Sequence, residues 1–122
     1  MRESSKWTLH ITAGVAILVL LGLHMLIMHM QTLLGWLGLG TANVTSFQAV
    51  AQRGREAFFM VTYIILLGAA LYHGLYGLRN ILLELISGRA AAKAVGGLLT
   101  LVGLACFALG TYAAVAAFNL KI

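Results

Sequence analysis

Proline is absent from this 122-residue chain, cysteine occurs once, and charge is scarce, with eight basic and three acidic residues. Without proline, nothing of that kind interrupts the apolar runs. A single Cys106, set inside one of those runs, excludes a disulfide framework and any thiolate metal site, which would need several such ligands. It reads as core filler. The shortage of charge excludes a soluble domain: 61% of the residues are hydrophobic and mean hydropathy is +0.98, more apolar surface than a chain of this length could hide from water. An integral membrane protein is expected. The net charge of +5 does not indicate nucleic-acid binding, because the basic residues flank the apolar runs instead of forming a patch. A cleavable leader is not expected, since the first apolar run is too long and polar or bulky residues follow it.

The pattern predicts an all-α membrane protein, one anchor domain over residues 1–122, with three spans at about 9–30, 57–84 and 94–118. A polar head with Arg2, Glu3 and Lys6 precedes the first span, and Trp7 and Trp36 suit headgroup anchors. In the loop between the first two spans, Val44, Phe47, Val50 and Ala51 recur at helical spacing. That spacing predicts a short amphipathic helix between Val44 and Glu56 lying on the membrane surface. Ser87, Gly88 and Arg89 make a tight turn before the third span. There Gly96, Gly103 and Gly110 repeat every seven residues and form a groove for close approach of another helix. Arg2, Lys6, Arg79, Arg89 and Lys93 share one side of the membrane, against Arg53, Arg55 and Lys121 on the other, which places the N-terminus in the cytoplasm.

Ionisable side chains are costly in lipid, and His73 to Glu84 concentrates them. On a helix, Gly77 lies about 40° from His73, and Asn80 and Glu84 about 20° from it, so imidazole, bare backbone, amide and carboxyl share one face. A lone histidine in a span usually bridges helices. Here all four fall within the predicted spans, and an iron with two axial imidazoles needs a pair from two helices at one depth. His24 falls in the outer half of the first span and His73 nearer the cytoplasm. They read as one ligand each to two stacked haems whose other ligands come from a different polypeptide. His29 is about 140° round the helix from His24 and is placed near the outer surface, beside a propionate or quinone. His10 sits near the inner interface, where a solvated histidine is expected.

The segment Leu71-Tyr72-His73-Gly74-Leu75-Tyr76-Gly77-Leu78-Arg79, with Glu84 eleven positions after the histidine, resembles the second helix of membrane-anchor subunits of succinate:quinone oxidoreductase. Gly14, followed ten residues later by His24, resembles the glycine and haem ligand of the diheme cytochrome b anchors. Three spans with these two histidines cover nearly the whole chain, as in the smaller of two anchor subunits. The resemblance implies haem b, two groups shared with a second anchor subunit, with His73 ligating the proximal iron and His24 the distal one. Arg79 would meet a propionate or the iron–sulfur subunit, and the partners would be that subunit, a flavoprotein and the second anchor, in the cytoplasmic membrane. Succinate or fumarate chemistry would belong to those partners, with electrons passing between the iron–sulfur subunit and quinone by way of the haems. Glu84 stands where single-haem members have an aspartate followed by a quinone-binding tyrosine, but Leu85 replaces that tyrosine. A menaquinone-type site is therefore favoured over a ubiquinone-type one, with Arg53, Arg55 and Glu56 as candidates at the outer end and Arg79 and Glu84 at the inner end.

Two other classes remain open from the residues. One is the cytochrome b subunit of another quinone-linked complex, such as a formate dehydrogenase or hydrogenase. The other is a haem-free helical scaffold or small transporter in which the histidines only bridge helices.

Overall fold

The computed structural model describes residues 2–40 and 43–120. It contains four helices: α1 (Glu3–Trp36), α2 (Phe47–Gly54), α3 (Ala57–Leu85) and α4 (Arg89–Phe118). Three of them, α1, α3 and α4, are long and apolar enough to cross a membrane, which bears out the expected all-α architecture. At about 1.5 Å per residue, each exceeds the hydrocarbon thickness of about 30 Å, so their ends project past it.

The helices run further than the apolar runs alone predict. At the start of α1, the Lys6 ammonium donates to Glu3 at 2.7 Å, and the Thr8 and Thr12 hydroxyls donate to the Ser4 and Thr8 carbonyls, each at 2.9 Å. The ion pair suits a helix end that has left the lipid, and the threonine bonds satisfy hydroxyls where the helix enters it. α4 begins at Arg89, earlier than expected, because Ala90, Ala91 and Ala92 are strong helix formers. Its start is set by Gly88, whose φ of 113° is a conformation that side-chain-bearing residues avoid. α2 is shorter than the Val44–Glu56 expected. Ser46 caps it by accepting from the Ala49 amide at 3.3 Å, which leaves Val44 and Thr45 in the preceding turn.

The three long helices stand in a row with α3 in the middle. α3 packs against α1 on one side and α4 on the other, and α1 and α4 share no contact among the described residues. On α3, the residues turned to α1 and those turned to α4 lie on opposite sides of the helix, as a row requires. Such a slab has no interior, and Ala13 and Ala51 are the only buried hydrophobic residues among those described. For the same reason Cys106, expected as core filler, is exposed.

The heptad glycines of α4 do form a groove, and the helix that enters it is α3 of the same chain. Leu75 fills the notch at Gly103, where a Cβ would lie 2.7 Å from Leu75 Cδ1, and Leu67 fills the one at Gly110. α2 closes the far end: Gly54 packs on Ala117, and the Arg53 guanidinium donates to the Val44 carbonyl at 2.6 Å and contacts the Met28 sulfur at 3.5 Å.

Candidate functional site

α1 and α3 run antiparallel, and each carries the same short pattern, a histidine followed four residues later by glycine: His10 with Gly14, and His73 with Gly77. The two patterns interlock. A Cβ at Gly14 would lie 3.1 Å from His73 Cε1, and one at Gly77 would lie 3.6 Å from His10 Cε1, so each glycine makes room for the histidine of the opposite helix. The two imidazoles stack with centroids 4.0 Å apart and planes inclined by 6°. Tyr76 leans against His10 at 5.1 Å and stacks on Tyr72, whose hydroxyl donates to the Lys6 carbonyl at 3.1 Å.

One hydrogen bond gives this seam its chemistry. His73 Nδ1 lies 3.0 Å from the His10 carbonyl oxygen. A carbonyl only accepts, so Nδ1 carries the proton and the lone pair of the neutral ring is on Nε2. Histidines that ligate metals are held in this way, with one ring N–H given to a carbonyl and the other nitrogen free for the metal. His73 can therefore supply one imidazole donor of the kind a haem iron takes. His10 would not serve the same metal, because its ring lies face to face on His73 instead of turning a nitrogen toward a shared position. The half-buried His10, expected as a solvated interfacial residue, is instead the inner partner of His73, and its Nδ1 is buried without a hydrogen-bond partner among the described residues.

The other sequence candidates are spread along the molecule. His24 is turned into the α1–α3 seam, edge-on to Tyr63 at 5.6 Å, in a pocket of about 20 Å³ far too small for a cofactor. Any large planar group reaching it must come from the open face of the slab. With His73 opposite residues 10–14 of α1, His24 lies about 15–21 Å from it along the helix axis. His29 is exposed. Gly77, whose missing side chain is expected from the sequence to let a porphyrin or a neighbouring backbone lie close, has its open side against His10. Arg79 lies over Gly96, with Nε 3.8 Å from the position a Cβ would take there, at one end of an apolar α3–α4 groove of about 460 Å³ that Tyr72 and Tyr76 also line. Glu84 is exposed at the end of α3. At the opposite end Arg55 and Glu56 are exposed, whereas Arg53 is bound to Val44.

Sequence reasoning missed the His10–His73 pairing. Its signal was the repeated histidine-x-x-x-glycine pattern, which becomes informative only when two helices are read antiparallel and in register.

The family model for the succinate dehydrogenase/fumarate reductase transmembrane subunit matches residues 2–116. The chain is 29% identical, over 90% of its length and 86% of the relative's, to the succinate dehydrogenase hydrophobic membrane anchor subunit of Archaeoglobus fulgidus. No solved structure matches it.

Proposed function

This chain belongs to the succinate dehydrogenase/fumarate reductase transmembrane subunit family, and from that premise we propose that it anchors a flavoprotein and iron–sulfur pair to the membrane and ligates haem b through His73. The observation that carries the haem assignment is the bond from His73 Nδ1 to the His10 carbonyl, which presents Nε2 as an iron ligand inside an apolar slab. When bound there, haem b supplies a one-electron carrier in a medium that water does not reach. The chain's own residues hold the ring, fix its proton and keep the surroundings apolar. His24, at its separate level, is the proposed ligand of a second, outer haem.

Each haem held in this way would need a further ligand that this chain does not supply. With His10 excluded by its stacking, this requires a second anchor subunit against the open face of the slab. The chain is expected to co-purify with a flavoprotein, an iron–sulfur protein and another multi-helix protein, and the complex to show a reduced-minus-oxidised haem b spectrum. A complex without haem would leave only the scaffold reading.

Quinone handling is assigned to a slab end, where protons and anionic oxygens meet water. Because Leu85 stands at the tyrosine position, we place a menaquinone-type site at the outer end, bordered by Arg55 and Glu56 with Arg53 supporting the loop. Glu56→Gln is expected to slow quinone turnover with haem content unchanged. Unchanged turnover there, with a loss in Glu84→Gln, would move the site to the other end.

A further inference from the structure

We propose that Gly14, together with the main-chain carbonyl of His10, is the positioning device that sets the tautomer and donor strength of His73, and that Gly14 is glycine for this reason. The inference rests on the proposed role of His73 as an iron ligand, and the test below separates the two.

The His10 carbonyl is part of α1, so one of its lone pairs already serves the amide four residues on, that of Gly14. The second lone pair is open only to a group that comes in beside residues 13 and 14. Ala13, next to Gly14, is one of the two buried hydrophobic residues described, which marks this patch of α1 as closely covered. A Cβ at position 14 would lie 3.1 Å from His73 Cε1 and 3.2 Å from Nδ1, the edge of the ring that makes the hydrogen bond. Any side chain there pushes that edge away from the carbonyl. The ring's face is fixed as well, by the His10 imidazole 4.0 Å away, which Gly77 admits. His73 is thus held by an edge and by a face, and only the edge contact chooses which nitrogen keeps the proton.

The consequence for a bound iron has a definite sign. Donation of Nδ1–H to a carbonyl makes Nε2 a stronger donor, and a stronger donor favours the ferric over the ferrous state. Weakening the bond must move the potential of the inner haem to more positive values. Loss of an outer-shell partner of this kind also lowers metal affinity, by about 10–100-fold.

The test uses the assembled complex, with potentiometric titration of haem b and electron paramagnetic resonance of its low-spin ferric form. Gly14→Ala is expected to keep the haem, shift the inner potential upward and alter the ferric g values. Gly14→Val should weaken haem affinity at that site by about 10–100-fold, read as haem lost on titration with a competing apoprotein. Gly22→Ala is the control on the same helix, because a Cβ at Gly22 meets nothing within 4 Å, and it should behave as the unsubstituted complex. Pulsed measurement of the axial imidazole's remote nitrogen in the unsubstituted complex needs no variant and should report a protonated, hydrogen-bonded Nδ1. A Gly14→Ala complex with unchanged potential and g values overturns the proposal, as does a remote nitrogen without a hydrogen bond. Retention of both haems in His73→Ala would instead remove the ligand assignment on which it stands.

Discussion

His73→Ala is expected to remove one haem from the assembled complex, and His24→Ala to remove the other, while His29→Ala keeps both. The two losses should be separable because the side chains lie about 15–21 Å apart along the slab, too far to share an iron. His10→Ala provides the critical contrast. It deletes the stacked ring but leaves the main-chain carbonyl that holds His73 Nδ1, so the haem should remain. If the two rings only bridged helices, His10→Ala and His73→Ala would weaken the α1–α3 seam alike, and neither would change a haem spectrum. Quantifying haem in each purified variant decides between these outcomes. Loss in His29→Ala without loss in His24→Ala would transfer the outer ligand to the exposed histidine.

The second large effect is expected in the α3–α4 seam. Gly103→Val and Gly110→Val should each destabilise the anchor by about 1–3 kcal/mol, because the notches they fill already hold the tips of Leu75 and Leu67. Gly110→Ala should be milder, since a leucine tip can turn aside where a helix backbone cannot. Gly97→Val is the matched control, one residue from Gly96 on the same helix, where a Cβ meets nothing within 4 Å. Thermal unfolding of the detergent-solubilised complex measures all four. Equal melting temperatures for Gly103→Val and Gly97→Val would show that the seam does not depend on those notches.

The spans were legible because apolar runs and flanking charge are one-dimensional signals. The heptad glycines were legible as a groove for the same reason, since a seven-residue step stays on one face of a single helix. The occupant was not, because Leu67 and Leu75 look like any other lipid-facing leucines until α3 is set beside α4 in register. Gly14 shows the same limit more sharply. Its distance to His24 in sequence suggested an association along α1, whereas the atoms it accommodates belong to His73, across the seam and reached through the chain reversal between α1 and α3. Helix ends were misplaced wherever stability comes from local side-chain bonds or alanine instead of lipid, as at Lys6–Glu3 and Ala90–Ala92.

A row of three helices in which only neighbours touch also isolates its two seams mechanically. α4 can tilt or slide against the middle helix, under the pull of whatever docks on it, without any direct push on α1. Strain from that side reaches the histidine pair through the body of α3, a rod stiffened along its length by its own hydrogen bonds, or through α2, which packs on Ala117 of α4 and touches Met28 of α1 at the end of the slab away from His10. The imidazole geometry is thereby shielded from the traffic at the opposite edge of the protein.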